Sequence, residues 1–273
     1  MDAGRTLVMG IVNVTPDSFS DGGDFLAARA AIARGRQLLA DGADLIDVGG
    51  ESTRPGAARV PVDEELRRVL PVITELAGAG AVVSVDTMRA EVARAAVRAG
   101  AAIVNDVSGG LGDPRMLDTV AGLGVGYIAM HWRGQSNVMQ DLAVYQDVVA
   151  DVRAELAGRR DAALAAGVAA ENLVLDPGLG FAKTPAHNWT LLAHLDALAG
   201  LGQPLLIGAS RKRFLGELLD GREPRLRDDA SVALTTLLAR QGVWAVRTHT
   251  VRAHADAVAV VQRLAREGVG GVE

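Results

Sequence analysis

Short runs of apolar, mostly β-branched residues alternate along the chain with longer stretches in which Ala, Leu and Arg recur at helical spacing. This alternation favours repeated strand–helix units around a parallel sheet over an antiparallel sandwich. It predicts eight strands, each followed by a helix. The predicted strands are Leu7–Asn13, Leu45–Val48, Val82–Asp86, Ala102–Asn105, Gly126–Met130, Leu173–Asp176, Leu205–Gly208 and Trp244–Arg247.

The stretches between the strands carry the helical pattern, and several begin after Asp or Gly, residues that often mark a helix boundary. The predicted helices are Asp24–Ala40, Asp63–Ala79, Arg89–Ala99, Asp113–Leu123, Tyr145–Ala166, His187–Ala199, Arg227–Gln241 and Arg252–Glu267. Eight such units suit a closed barrel, which takes about 250 residues. We therefore predict an α/β fold, a single-domain (β/α)8 TIM barrel over residues 1–273. An open, doubly wound sheet is the alternative, because periodicity does not separate the two.

Composition narrows the class of protein. Apolar residues make up 49% and charged residues 22%, which suits a folded domain with a full core. There is no Cys, so disulfides, thiolate catalysis and Cys-ligated metal centres are excluded. The net charge is -5 and no block of Lys or Arg stands out, which argues against a nucleic-acid partner or an anionic membrane surface. The chain has no apolar run of membrane-spanning length and no basic region before its first apolar stretch, so we expect a cytoplasmic protein.

Polar residues follow seven of the eight predicted strands at the point where each strand ends. In a parallel barrel these ends meet at one face, where active sites are built. A single Asp before a helix is as readily a buried group that caps the helix, but convergence from seven strands favours a site. Arg247 and His249 are two residues apart, so their side chains point the same way. The residues at the strand ends are Asn13, Glu51, Asp86, Asn105, Asp176, Lys212, Arg247 and His249.

The expected site divides into hydrogen-bond acceptors and donors. The acceptors are Asp86, Asn105 and Asp176, and the donors are Lys212, Arg247 and His249. An unpaired buried carboxylate is costly, so Asp86 and Asp176 need a permanent cation or a ligand that presents N–H groups in a row. An aminopyrimidinone edge presents such a row, and an acidic tail on the same ligand would meet the donors. Lys212 as the permanent ion-pair partner of one carboxylate is the structural alternative.

Two loops are candidates for binding an anion and a metal ion. Residues 15–23 are longer and more polar than an ordinary barrel connection, which indicates a lid. Within it, Asp21 is a candidate contact for a metal or another cation, or else a turn residue before two glycines. Thr53 and Arg54 offer a hydroxyl and a guanidinium to an anion. Asn13 presents a hard oxygen beside these donors, which suits Mg²⁺ with phosphate and water as its other ligands. The chain has no Walker or dinucleotide-binding sequence.

The motifs at the strand ends are shared with a known family. They occupy Asn13–Gly23, Asp47–Gly56, Ser84–Thr87, Asn105–Gly110, Met130–His131, Asp176–Lys183, Ser210–Lys212 and Val246–His249. With these segments the chain resembles the dihydropteroate synthases, folate-pathway enzymes that sulfonamides target, and most closely their actinobacterial members. The similarity runs nearly from end to end. Thr250 differs from the Asp of many relatives, and Arg213 from the Ser of others.

The resemblance implies a transferase that joins 4-aminobenzoate to (7,8-dihydropterin-6-yl)methyl diphosphate by an SN1-like departure of diphosphate. It also implies Mg²⁺ as the metal and a homodimer. For the pterin it implies contacts from Asp86, Asn105, Met130, Asp176 and Lys212, and for diphosphate from Asn13, Arg247 and His249, with Asn13 also at the metal. For 4-aminobenzoate it implies Phe19, Thr53, Arg54, Pro55, Phe181 and Lys212, with the backbone at Arg213. The expected catalytic groups are Asp21, Asp86, Asp176, Lys212, Arg247 and His249.

Two alternative functions stay open. A pterin-binding methyltransferase module has a similar Asp and Asn pocket, but it needs no diphosphate clamp, so Arg54, Arg247 and His249 favour the synthase. A paralogue that binds without catalysis would keep the barrel and lose part of the site. Every expected site residue is present in this sequence, which favours an enzyme.

Overall fold

The computed structural model describes residues 4–15, 23–52 and 59–269. Eight parallel strands form one sheet within these ranges. The strands are short and buried, as expected for a parallel sheet that helices cover. They are β1 (Leu7–Asn13), β2 (Leu45–Gly49), β3 (Val83–Asp86), β4 (Ile103–Asp106), β5 (Gly126–Met130), β6 (Leu173–Asp176), β7 (Leu206–Ile207) and β8 (Ala245–Thr248).

The order of the strands brings the two edges of the sheet together. Consecutive strands from β1 to β6 are neighbours, and β8 lies between β1 and β7. Leu175 of β6 bridges to Leu205, just before β7, and the Leu175 N–H donates to the Pro204 carbonyl at 2.9 Å. The sheet is therefore a nearly closed barrel. The predicted single-domain (β/α)8 fold is confirmed, and the open, doubly wound alternative is wrong.

Helices follow the strands and surround the barrel. Local sequence fixes where some of them begin: Thr184 and His187 form a capping box on α6, with Pro185 at its first position, and the Asp147 carboxylate caps α5. No helix within the described ranges is both long and apolar enough to span a bilayer. The helices are α1 (Gly23–Ala40), α2 (Val62–Gly78), α3 (Ala90–Arg98), α4 (Met116–Leu123), α5 (Val148–Ala165), α6 (Pro185–Ala193), α7 (Leu195–Ala199), α8 (Arg213–Leu218), α9 (Asp228–Arg240) and α10 (Arg252–Val269).

Beyond shifts of a few residues at helix ends, two helical segments differ from the prediction. The helix predicted over 187–199 is divided into α6 and α7, because His194 between them has a non-helical backbone, with φ -126° and ψ 39°. A short helix that was not predicted, α8, begins directly after Lys212. Its 6 residues are too few to give a recognisable apolar period.

Side chains on the strands alternate between the barrel interior and the surrounding helices. On β3, Val83 and Val85 join the large apolar cluster between sheet and helices, whereas Ser84 and Asp86 face the interior. The lower interior is filled by a separate apolar cluster, which consists of Met9, Leu45, Ile103, Ile128, Val174, Leu206, Trp244 and Ala245. Toward the carboxyl ends of the strands the inward residues become polar. The barrel therefore presents hydrogen-bonding side chains above an apolar floor.

Candidate active site

Arg247 of β8 reaches across the barrel mouth to two carboxylates. Its Nε donates to Oδ2 of Asp47 on β2 at 2.6 Å, and its Nη2 donates to Oδ2 of Asp86 on β3 at 2.8 Å. Asn105 of β4 donates its Nδ2 to the same Asp47 oxygen at 3.0 Å. Asp47, Asp86 and Asn105 are all buried. Four strands thus contribute to one network of charged and polar groups.

Burial sets the acid–base character of Asp86. It raises the pKa of this carboxyl to about 7, although the Arg247 cation opposes the shift, and the nearby Asp47 charge raises the pKa further. A carboxyl with this pKa exchanges a proton near neutral pH. A ligand that donates N–H groups to Asp86 would favour the ionised form and lower the pKa again.

Asp176 of β6 and Lys212, which follows β7, form another side of the mouth. The Gly178 N–H donates to Oδ1 of Asp176 at 2.7 Å. The Lys212 ammonium donates to the Leu179 carbonyl and lies 4.3 Å from the centroid of the Phe181 ring. The loop between β6 and α6 therefore holds both charged groups.

Lys212 is not the permanent partner of a carboxylate. Across the described part of the chain its ammonium forms no salt bridge with Asp176 or Asp86, and Arg247 is the cation that pairs with Asp86. Burial raises the pKa of Asp176, with Lys212 as the main opposing charge. Burial also lowers the pKa of Lys212 to about 8, and Asp176 opposes that shift. Asp176 is buried and Lys212 is partly buried beside it, so a bound N–H edge or anion would interact strongly with both charges.

An apolar wall lies at the same level of the barrel. Met88, Val107 and Met130 form a small cluster, and Phe181 packs against it. Met130, the last residue of β5, is only 3% exposed. A flat heterocycle beside this wall would have apolar contacts on its face and hydrogen-bonding groups at its edge.

His249 and Asn13 follow or close two neighbouring strands. The Ser210 hydroxyl lies 3.0 Å from Nδ1 of His249 and accepts from the His249 N–H at 3.2 Å, while Arg34 donates to the His249 carbonyl at 2.6 Å. Asn13 ends β1 in register with Gly49 of β2, and β1 pairs with β8. Both residues are therefore placed at the carboxyl end of the barrel.

Comparison with known proteins identifies the family. A family model described as pterin binding enzyme matches residues 9–249. The chain belongs to the pterin-binding enzyme family.

Relatives in this family are dihydropteroate synthases, and the predicted resemblance to them is confirmed. The enzyme of Mycobacterium leprae is 53% identical over 260 residues, which are 93% of this chain and 92% of the relative. The structure of Xanthomonas albilineans dihydropteroate synthase with 4-aminobenzoic acid is 49% identical, with a TM-score of 0.89, and the match covers 98% of this chain and 94% of that chain. The structure of the Xanthomonas enzyme in complex with 7,8-dihydropteroate gives 46% identity and a TM-score of 0.87, over 100% of this chain and 97% of that chain.

Most of the site residues predicted for this pterin-binding protein lie at the barrel mouth. Arg213 does not present its side chain there: it is 88% exposed and pairs with Glu217 at 2.9 Å, so only its backbone, at the start of α8, adjoins the site. The residues at the mouth are Asn13, Asp86, Asn105, Met130, Asp176, Phe181, Lys212, Arg247 and His249. The predicted residues that fall outside the described ranges are Phe19, Asp21, Thr53, Arg54 and Pro55.

Sequence reasoning missed Asp47, which is central to the Arg247 network. The predicted polar site residues are those at strand ends, whereas Asp47 lies within β2, two residues before its end. A lone carboxylate inside an otherwise apolar strand was the available signal. Met88 and Val107 were also missed, because apolar residues after strands are indistinguishable by pattern from ordinary core.

Proposed function

We propose that the chain condenses (7,8-dihydropterin-6-yl)methyl diphosphate with 4-aminobenzoate to give 7,8-dihydropteroate and diphosphate. The observation that carries this proposal is the set of buried acceptors, Asp86, Asn105 and Asp176, gathered at one mouth with Lys212 and Arg247. The relatives' names, and the 4-aminobenzoic acid and 7,8-dihydropteroate in the Xanthomonas structures, support the same substrates.

The pterin ring has N–H donors and a flat face that match the acceptors and the apolar wall of this pocket. Its aminopyrimidinone edge carries adjacent N–H donors, which suit the carboxylates of Asp86 and Asp176. Its flat face suits the wall of Met88, Val107 and Met130. Recognition would thus combine hydrogen bonds at the edge with apolar contact over the ring, as small-molecule sites generally do.

Arg247 is placed to serve both ends of this substrate. A guanidinium has five N–H donors, and its two bonds to Asp47 and Asp86 leave donors that can bind an oxygen of the diphosphate. His249, on the same edge and ordered by Ser210, adds a second donor. We expect Phe19 and Arg54, which lie outside the described residues, to contribute to the 4-aminobenzoate subsite.

The reaction we propose is dissociative. The methylene C–O bond breaks and its electron pair leaves with diphosphate, while the electron-rich dihydropterin ring takes up the positive charge. The carboxylates of Asp86 and Asp176 stabilise that charge electrostatically, and they need no rearrangement because the fold already holds them. The amine of 4-aminobenzoate then forms the C–N bond and loses a proton to solvent. Closure of the loops after β1 and β2 would exclude water from the cation.

Mg²⁺ is the metal that suits the donors present. Across the described residues no three His, Asp or Glu side chains cluster to hold a metal on their own, whereas Asn13 offers a neutral hard oxygen at the mouth. Mg²⁺ keeps waters and substrate phosphates among its ligands, so a site with few protein ligands fits it. Asn13 would hold it, with Asp21 as a second candidate, and when bound it would neutralise charge on the departing diphosphate.

We also propose that the protein is a homodimer formed through α9 and α10. These two helices follow β7 and β8 and pack against each other. Leu237 on α9 is 59% exposed, and Leu264 on α10 is 64% exposed. Exposed large apolar side chains on adjacent helices support burial by a second copy. A sedimentation experiment on the wild type and Leu264→Glu would test this: a monomeric wild type would contradict it.

Diphosphate release measured with purified protein tests the proposed activity. We expect release that depends on Mg²⁺, pterin diphosphate and 4-aminobenzoate together, with 7,8-dihydropteroate identified by mass spectrometry. Arg247→Ala should abolish turnover, whereas Arg252→Ala, at an arginine that is 70% exposed, should not. Binding of methyltetrahydrofolate without condensation would favour the methyltransferase module, and binding without release a non-catalytic paralogue.

A further inference from the structure

Lys183 is a buried lysine outside the cluster of charges at the barrel mouth. It is 3% exposed, and its ammonium donates to Nδ1 of His131 at 2.9 Å, to the Gly178 carbonyl at 3.1 Å and to the Phe181 carbonyl at 3.1 Å. Burial lowers the pKa of Lys183 to about 7, with Asp176 as the main opposing charge. In its charged form the side chain has three donors, and each is matched here. Burying a charged group is costly, so the three hydrogen bonds of Lys183 indicate that it has a specific structural role.

The acceptors of Lys183 belong to the loop that forms one wall of the site. Gly178 has a left-handed backbone with φ 66°, and a Cβ there would lie 2.4 Å from the His131 carbonyl, so this turn requires glycine. The Gly178 carbonyl bonds Lys183, whereas its N–H faces Asp176. The Phe181 carbonyl bonds Lys183, whereas its ring lies beneath the Lys212 ammonium. Lys183 thus bonds the carbonyls of the same two residues whose N–H and ring meet Asp176 and Lys212.

His131 and Glu155 fix the orientation of Lys183 from behind. Because Nδ1 of His131 accepts from Lys183, its Nε2 carries the hydrogen and donates to Oε2 of Glu155, at 2.9 Å. Arg133 holds the other oxygen of Glu155 at 2.5 Å. Burial, together with the Lys183 charge, lowers the pKa of His131 to about 4, which keeps the ring neutral. The chain of contacts therefore runs from the surface of α5 to the wall of the site.

We propose that Lys183 is a positioning residue for the pterin subsite, which sets the loop 177–182 against Asp176 and Lys212 and is itself oriented by His131 and Glu155. This inference rests on the proposed function for the identity of the ligand. Lys183 touches no reacting atom in this arrangement. Loss of the Lys183 donors should weaken pterin binding beside the loop 177–182 and leave diphosphate binding at Arg247 unchanged.

The test compares two binding probes across variants and needs no turnover. Lys183→Met keeps an unbranched side chain of nearly the same length and removes its donors. Calorimetry with 6-hydroxymethylpterin should show a dissociation constant raised about tenfold, because the loop no longer holds Asp176 in place. The dissociation constant of inorganic diphosphate with Mg²⁺ should stay within about twofold, since Arg247 and His249 lie elsewhere. Equal losses for both probes, or an unchanged pterin affinity, would overturn the proposal.

A second pair of variants decides the matter if Lys183→Met does not fold. Glu155 is 40% exposed, so Glu155→Ala should fold, and it should raise the pterin dissociation constant roughly threefold, as expected for loss of a partly exposed charge contact. Asp161→Ala on the same helix, at a residue that is 63% exposed, is the matched control and should change nothing. Equal pterin affinity in the two variants would refute the proposal that Glu155 and His131 orient Lys183. If the wild type binds the pterin without condensing it with 4-aminobenzoate, the proposed function fails while the role of Lys183 is still measured.

Discussion

The Asp47→Asn substitution tests whether the charge of Asp47 holds the network at the barrel mouth. Oδ2 of Asp47 accepts from both Arg247 and Asn105, whereas Oδ1 is buried without a hydrogen-bond partner in the described part of the chain. The amide nitrogen of the variant can therefore take the place of Oδ1, and its oxygen can keep both bonds. The substitution removes the charge, and it also places two amide N–H donors where Oδ1 has no partner among the described residues, which adds to its cost.

The cost follows from the two bonds that lose a charged acceptor. Hydrogen bonds to charged groups are worth about twice as much as neutral ones, which amounts to roughly 1 kcal/mol for each bond. Asp47→Asn should therefore lower the free energy of unfolding by about 2 kcal/mol and Tm by about 6 °C for a chain of this size. Loss of the Asp47 charge should also lower the pKa of Asp86, because that charge raises it.

Urea unfolding and carboxyl carbon NMR measure these two effects. Asp41→Asn is the matched control: its pair with Arg252, at 2.6 Å, lies at the surface, and such pairs contribute less than about 1 kcal/mol. If Asp47→Asn costs no more than the control, or if the pKa of Asp86 rises, the reasoning about this network is wrong.

Three further predictions concern the ligands. Asp176→Asn and Lys212→Ala should each weaken binding of 6-hydroxymethylpterin by about tenfold or more, as expected when a buried charged contact is lost, and equal affinity in a titration would contradict the pocket assignment. Below pH 7 a pterin that donates N–H bonds to Asp86 should displace its proton, because the pKa of about 7 in the free protein falls on binding. Affinity should then weaken as pH falls, and calorimetry in two buffers should detect proton release that Asp86→Asn reduces. Chelation of Mg²⁺ should stop diphosphate release while sparing pterin binding, and Asn13→Ala should raise the Mg²⁺ concentration needed for half-maximal release.

The barrel was predictable because its signals are local and repeated. Each of the eight strands is a buried apolar run between helical stretches, which the sequence pattern shows directly. The strand Gly126–Met130 matches its prediction residue for residue. Boundaries set by single interactions were not predictable to the residue. The Asp147 carboxylate caps α5, so this helix begins at Val148 and not at the predicted Tyr145. The non-helical backbone of His194 divides one predicted helix into two.

The sequence predicts the site residues that lie at the ends of strands, and it does not predict their partners. Asn105 and Asp106 are adjacent and both polar, yet alternation turns Asn105 inward. It leaves Asp106 to accept from Ser108 and Gly110 in the β4–α4 loop and from Tyr127 on β5. Sequence alone does not say which of such a pair faces the mouth. The partner of Arg247 was equally hidden, since strand register, which aligns Asp47 with Ser84, is what brings β2, β3 and β8 to one level.

The network of Arg247, Asp47 and Asp86 has two carboxylates and one guanidinium. The proposed reaction gives a reason for the additional carboxylate. Arg247 pairs with both Asp47 and Asp86, so this group of three bears a net negative charge when all are ionised. A site that only bound a diphosphate would gain nothing from the second carboxylate, which repels the anion and costs free energy to bury. A site that must stabilise a positive charge on the pterin ring gains from it, because fixed carboxylates in a dry cavity act strongly on a cation formed beside them. The second carboxylate therefore suits a site that stabilises positive charge on the ring, as the proposed dissociative reaction requires.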